Sequence, residues 1–274
     1  LMEHQYLGLL QRLTECPVRE TRNGPVHSYF SAHLVHDMDR GYPLLTTKKM
    51  FTKGIIEELA WFLRGCTDVQ QLRVKGVHIW DGNSEHRNYD AGPIYGWQWR
   101  HWGAQYVDKD TDYTGQGVDQ IARVIDLLKN DPHSRRIILH GWNVSDLDKM
   151  CLPPCHIMYQ FYVEGDNRVS VQMSQRSADV FLGLPFNIAS TALLLSIIAK
   201  ETGRKPGYVH INVGDAHLYA SHREQALVQL QREPREFPVL TLDRENDGCW
   251  DLKPEHCIIS GYSPCPKIKA SMVA

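Results

Sequence analysis

No apolar run in this sequence has membrane length. The most apolar stretch, Ile188 to Ala199, is broken by Ser190, Thr191 and Ser196 and falls short of the roughly 20 residues a bilayer helix needs, so a core helix is expected there. Net charge is nearly absent: 30 Lys and Arg against 32 Asp and Glu leave −2. That excludes a general attraction to nucleic acid or to an anionic membrane and leaves any basic site local. A disulfide framework is missing too. Seven cysteines, Cys16, Cys66, Cys151, Cys155, Cys249, Cys257 and Cys265, are odd in number and scattered, which fits a reducing, cytoplasmic compartment. No C-x-x-C pair occurs, and Cys249, Cys257 and Cys265 stand eight residues apart, so the zinc alternative for Cys151, Cys155 and His156 is disfavoured and no metal is expected. Neither G-x-G-x-x-G nor G-x-x-x-x-G-K-[ST] is present, which argues against a Rossmann dinucleotide site and a P-loop. The first residues lack the charged-then-apolar pattern of a signal peptide.

There is ample apolar material for one core. Hydrophobic residues make up 42% of 274, which suits a single enzyme-sized domain over residues 1–274. Gln5 to Glu15 carries Tyr6, Leu9, Leu10 and Leu13 at helical spacing, with Pro17 to end it, and Thr21-Arg22-Asn23-Gly24 reads as a turn. Phe51 to Gly65 places Ile55, Ile56, Leu59, Phe62 and Leu63 on one helical face, with Glu58 beside it and Gly65 as a C-cap. Val77 to Asp81 is predicted as a short strand ending in a turn, and Gly92 to Trp99 is dense in aromatics between glycines. Val118 to Asn130 is an amphipathic helix stopped before Pro132, after which Arg135 and Arg136 lead into Ile137 to Leu139. Alternation of Tyr159, Phe161 and Val163, then of Val169, Val171 and Met173, around Gly165-Asp166-Asn167 predicts a hairpin whose second strand delivers Gln175-Arg176-Ser177. A buried helix follows Gly183 to Asn187 and ends near Gly203. Tyr208 to Val213 alternates as a strand running into Gly214 to Tyr219, and Ser221 to Arg232 is helical.

The chemistry centres on Leu152-Pro153-Pro154-Cys155-His156, a thiol directly behind two prolines. Proline fixes its own φ and restricts the residue before it, so Cys155 would be held in a nearly predetermined place, as a nucleophile requires; a structural cysteine in a turn is the alternative. A thiol is mostly protonated at neutral pH and needs a cation or base nearby, for which Arg176 is the candidate. Arg22, Arg135, Arg136 and Arg176, all in turn or strand-end contexts, would with the Ser177 hydroxyl make a bidentate cradle for a phosphate.

Several specific blocks occur in order along nearly the whole chain: Pro43 to Lys49, Ile79-Trp80-Asp81, Asp131 to Arg136, Leu152 to His156, Gln175-Arg176-Ser177, Gly183 to Ser190, Gly214 to Tyr219 and Ile268-Lys269. On these the sequence resembles the thymidylate synthase family. It departs from the commonest family pattern at Asn23-Gly24-Pro25, at Ser174 and at the final Ala274. The resemblance implies an α/β (α+β) fold, a single domain with a large mixed β-sheet flanked by helices, dimerising through the sheet. It implies reductive methylation of dUMP to dTMP, with 5,10-methylenetetrahydrofolate as donor of carbon and hydride and dihydrofolate as product. Partners would be dUMP, the reduced folate and a second copy of the chain, with no membrane and no obligatory nucleic acid.

The resemblance also assigns residues. Cys155 would add to uracil C6, with Glu58, Tyr95, His156, Arg176, Asp179 and Asn187 completing the catalytic set. Arg22, Arg176 and Ser177 would hold the nucleotide phosphate, joined by Arg135 and Arg136 from the partner chain. Asn187 would read the uracil edge, His217 and Tyr219 the ribose 3'-hydroxyl, and Ala178, Asp179 and Leu218 would complete the nucleotide site. Phe51, Ile79, Trp80, Asp179, Leu182, Gly183 and Phe186 would line the folate slot, and Met272-Val273-Ala274 would fold over the occupied site. The nearest rival is a dUMP hydroxymethylase of the same superfamily, in which water finishes the exocyclic methylene; Trp80 and Leu152 as shields argue against it. A catalytically silent nucleotide- or RNA-binding homologue is the other alternative, disfavoured by intact Cys155, Arg176, Asn187 and Glu58.

Overall fold

The computed structural model describes residues 2–243 and 251–273, so Cys249 and Ala274 lie outside the described residues. Its helices are α1 (Met2–Glu15), α2 (Thr52–Leu63), α3 (Gln70–Arg73), α4 (Asp81–Ser84), α5 (Tyr95–His101), α6 (Gln120–Asn130), α7 (Gly183–Glu201) and α8 (Arg223–Leu230). The main sheet holds β1 (Val18–Arg19), β2 (Val26–Asp37), β3 (Ile138–His140), β4 (His156–Val163), β5 (Val169–Asp179) and β6 (Pro206–Tyr219) in the order β1-β2-β6-β5-β4-β3. Neighbours are antiparallel except β5 and β6, whose parallel pairing requires the crossover that α7 supplies. A separate ribbon pairs β7 (Val239–Leu242) with β8 (Cys257–Ser260). The mixed sheet flanked by helices is the architecture the resemblance implies.

One face of the sheet is packed. Tyr159, Phe161, Val171, Met173, Val209 and Ile211 point into a core shared with α7 and α2. By length and composition α7 would suffice to cross a membrane, more than the shorter Ile188 to Ala199 stretch suggested; 72% of its apolar window is buried inside the fold, which makes it the core helix expected. A fully buried side chain of this size contributes about 1.5–3 kcal/mol, so the Ile55, Leu59 and Leu63 stripe of α2 anchors that helix firmly. The opposite face of the sheet carries Phe30 and Tyr162 at 79% and 64% exposure.

The strands are irregular beside the future site. The β2–β6 and β5–β6 ladders each skip a pair at Gly214, opposite Ser31 (φ 68°) and Arg176, and β4–β5 shifts register between His156 and Met158. Such interruptions re-aim side chains. At Gly214 any Cβ would meet Arg176 O at 2.8 Å, so glycine lets β5 and β6 stay close where Arg176 turns toward the thiol. Gly96 does the same between helices, because a Cβ there would collide with Phe62 O, and this close approach brings Tyr95 under Cys155.

Two expectations change. Val77 to Asp81 is not a strand: Val77 and Trp80, three residues apart, are buried while His78 is exposed, and a turn from His78 O to Asp81 N leads into α4. Packing of those two side chains outweighed local β-propensity. Helix α6 starts at Gln120 rather than Val118, because Val118 bridges Trp102 and the Asp119 carboxylate caps the helix by accepting from Ala122 N. Glu3 does what no local pattern shows. Buried in α1, it accepts from the backbone N–H and hydroxyl of both Thr46 and Thr47, at 2.7–2.8 Å, and so fixes the loop that carries Lys48, Lys49 and Phe51.

Candidate active site

The β4 end, the α7 start and the α2 face enclose a cavity of about 280 Å³ with Cys155 in its wall. Lining it are the expected Glu58, Ile79, Trp80, Tyr95, His156, Ser177, Asp179, Leu182, Gly183, Phe186, Asn187 and Val273. Leu152, Asn83, Gln175 and Met272 complete the wall. A second cavity of about 640 Å³ shares Ile79, Leu182, Phe186 and Met272 with the first and adds Phe51, Lys48, Lys49, Lys267 and Lys269.

Cys155 is fixed from both sides. Its N–H donates to Tyr95 Oη at 2.7 Å, and its carbonyl accepts from Arg176 N at 2.8 Å. The Arg176 guanidinium donates from Nε to Pro154 O (2.8 Å) and from Nη2 to Pro153 O (2.9 Å), with Nη2 3.9 Å from Cys155 Sγ. The two prolines thus present carbonyls to the cation that faces the thiol. Burial pushes the Cys155 thiol up, and Arg176 pulls it back toward the thiolate. His156 stacks on Tyr95 at 4.2 Å and is bonded through Nδ1 to Tyr159 Oη (3.0 Å). Burial drives its pKa down to about 3, so it stays neutral.

Glu58 does point inward. It is 7% exposed, accepts from Trp80 Nε1 at 2.7 Å, and burial pushes its pKa up to about 7 against the pull of that indole. A carboxyl titrating near neutrality in a cleft suits proton transfer in both directions. Asn187 Oδ1 accepts from Gln175 Nε2 at 3.0 Å, and Gln175 Nε2 also donates to Ser177 O at 2.9 Å. The Ser177 carbonyl can only accept, so Gln175 presents Nε2 there and Asn187 turns its oxygen toward that same Nε2. Gln175, quoted in the sequence only as part of a block, is therefore a site residue that composition could not reveal; its role needs the β5 register. Asp179 Oδ1 accepts from Phe181 N and Leu182 N and shapes the entry to α7. Asp215, bonded by Ser28 Oγ, holds His217 Nδ1 at 3.3 Å.

Not every expected residue reaches the cavity. Arg22 lies exposed on its turn, with Nε donating to Asn23 Oδ1, beside Tyr219. Arg135 and Arg136 are exposed on the loop before β3 and do not line it. Within one chain, then, the four arginines do not form one cradle. Ala178 and Leu218 have buried side chains that face the core instead. Among the described residues no group of three His, Cys, Asp or Glu side chains could hold a metal ion.

The family model described as Thymidylate synthase matches residues 4–274. The thymidylate synthase of Homo sapiens is 48% identical over 98% of this chain and 90% of that protein. That of Ascaris suum is 46% identical over 89% of this chain and 87% of its own length. The bifunctional dihydrofolate reductase-thymidylate synthase of Zea mays is 45% identical over 98% of this chain, which spans 54% of that longer protein.

Proposed function

We propose a function from one premise: the chain belongs to the thymidylate synthase family. It methylates dUMP to dTMP reductively. 5,10-Methylenetetrahydrofolate supplies the one-carbon unit and the hydride and leaves as dihydrofolate. The observation that carries this is the convergence, in one cavity, of a thiol, an oriented asparagine amide and a carboxyl with a pKa near 7, with the Arg176 guanidinium set against the thiol from outside the cavity wall. The apolar wall of Ile79, Trp80, Leu182 and Phe186, opening onto Lys49, Lys267 and Lys269, fits a flat heterocycle with a carboxylate tail.

The steps follow from the side chains. Uracil C5 is a poor nucleophile. Addition of Cys155 Sγ to C6 converts the ring to an enolate whose C5 attacks the one-carbon unit; loss of the C5 proton expels the folate nitrogen, the folate's hydride reduces the exocyclic methylene left on C5, and the enolate so formed expels the thiolate. Arg176 favours the thiolate and, with Arg22 and Ser177, holds the phosphate. Asn187 accepts from uracil N3–H and donates to O4, the reverse of what cytosine offers. Glu58 moves protons at O4 and C5 through water. His217 and Tyr219 bind the 3'-hydroxyl. Trp80 and Leu152 shield the exocyclic methylene from water, and Met272, Val273 and Ala274 close the folate side. Cys16, Cys66, Cys151, Cys155 and Cys265 are in no disulfide among the described residues, which supports placing the enzyme in the reducing cytoplasm.

The test is incubation with dUMP and methylenetetrahydrofolate, following dihydrofolate absorbance and the mass of the nucleotide product. Methyl product with dihydrofolate is expected; hydroxymethyl product with tetrahydrofolate would identify a hydroxymethylase instead. Asn187→Asp should lower activity on dUMP and raise relative affinity for dCMP by about tenfold or more, since one mispaired buried group costs roughly 1–3 kcal/mol. Equal dUMP to dCMP ratios in both proteins would remove Asn187 from base recognition.

The exposed sheet face with Phe30 and Tyr162 supports a dimer formed through the sheet, in which the partner subunit's Arg135 and Arg136 complete each phosphate site. Cys155→Ala and an Arg135→Glu/Arg136→Glu double variant should each be inactive. After subunit exchange, activity should return to about half of wild type per heterodimer, because one of its two sites regains every part. Confirmed heterodimers without recovery would refute the shared site.

A further inference from the structure

We propose that His222 is a positioning residue for the methyl transfer: it latches the segment that walls the folate side of the cavity. His222 sits in the turn between β6 and α8, 2% exposed, with its ring against Phe181 (5.9 Å) and Tyr219 (5.8 Å). Its Nε2 lies 2.7 Å from Ser271 O. A carbonyl only accepts, so Nε2 carries the proton and is the donor. Nδ1 is buried with no partner among the described residues, which leaves the ring one directed bond, and that bond goes to Ser271.

The two residues after Ser271, Met272 and Val273, line the cavity that holds Cys155. Earlier parts of the same segment have their own anchors. Arg235 Nη1 donates to Ser263 O (2.9 Å), Arg232 Nη1 to Pro266 O (2.7 Å), and Cys265 N to Thr46 O (2.7 Å). Between Lys267 and Val273, the bond from His222 is the one found among the described residues. Ile268 and Ala270 pack against the core, but Met272 is half exposed, so the bond from His222 is the directed polar tether closest to the wall. His222 touches neither the thiol nor the residues assigned to the uracil. It belongs to the turn that ends the strand carrying His217 and Tyr219, so the tether ties the folate-side wall to that strand.

The proposal rests on the synthase function above, and two substitutions separate donor from packing. His222→Phe keeps a ring against Phe181 and Tyr219 but deletes the donor; His222→Gln keeps an N–H at similar reach but deletes the ring. With melting temperatures recorded for both, the Phe variant should raise KM for the folate about tenfold, the scale of one lost hydrogen bond, with dUMP affinity unchanged. The Gln variant should stay within about twofold of wild type. Trypsin should cut after Lys269 faster in the Phe variant, a readout that needs no turnover and so remains informative even if dUMP is not the substrate. A Phe variant with wild-type KM and wild-type cleavage would overturn the latch. So would a Gln variant as impaired as Phe, which would mean that the ring's packing matters and its donor does not.

Discussion

Cys155→Ala is expected to lose dUMP turnover by about 10⁵-fold or more, the scale seen when a covalent nucleophile is deleted, while remaining folded and able to bind dUMP. The thiol supplies the bond to C6, and no neighbour can replace it: His156 is neutral and committed to Tyr159, and Tyr95 accepts from the Cys155 backbone. The positions of Asn187 and Ser177 do not depend on Sγ, because Gln175 and the β5 ladder hold them. Loss of one sulfur from a site already open to a cavity should cost stability only about 1 kcal/mol. Cys151 is the control. Burial pushes its thiol up to about 11, and it does not line the cavity, so Cys151→Ala should turn over normally. Equal damage from the two substitutions would point to a packing role for both cysteines.

Glu58→Gln should lower kcat by about 10²–10⁴-fold, the usual contribution of a positioned acid–base group, and remove the limb near pH 7 from the pH profile of kcat/KM. The same substitution should stabilise the fold, and the sign follows from linkage. Burial raises the Glu58 pKa from 4.5 to about 7. Between those values the unfolded chain has released its proton and the folded chain retains it, so wild-type stability falls as pH rises through that window. Glutamine has no proton to lose. Its advantage should be absent below about pH 4.5 and level off above about pH 7 at on the order of 3 kcal/mol. Denaturant unfolding of both proteins at pH 5 and pH 8 measures the difference. A stability gap independent of pH, or wild-type turnover in the variant, would mean that this carboxyl is not the buried proton carrier described.

Elements whose pattern is local were legible in the sequence. The β4–β5 hairpin declared itself through alternation about Gly165-Asp166-Asn167, and α1, α2, α6 and α7 through apolar spacing. Cys155 behind its two prolines was legible for the same reason, since proline constrains its own neighbours. What was hidden depends on partners far along the chain. Glu3 satisfies Thr46 and Thr47 more than forty residues away, Gln175 orients Asn187 only once β5 meets α7, and His222 finds Ser271 forty-nine residues on. Val77 and Trp80 misled because their side chains serve a tertiary contact three residues apart rather than a strand face. The arginines show another limit: residue type suggested a cradle and the resemblance, not any local pattern, gave Arg135 and Arg136 to a partner chain, while the fold places them on an exposed loop away from their own chain's cavity.

The central claim is that Cys155 bonds covalently to the pyrimidine during one-carbon transfer. 5-Fluoro-dUMP tests it directly, because fluorine at C5 cannot leave as a proton does, and the reaction should halt with the nucleotide and folate still attached to the enzyme. Wild-type protein incubated with 5-fluoro-dUMP and methylenetetrahydrofolate, then digested and analysed by mass spectrometry, should carry the added mass on the peptide containing Cys155 and specifically on that sulfur. An adduct on Cys151, or no adduct in protein that demonstrably binds the nucleotide, would contradict it.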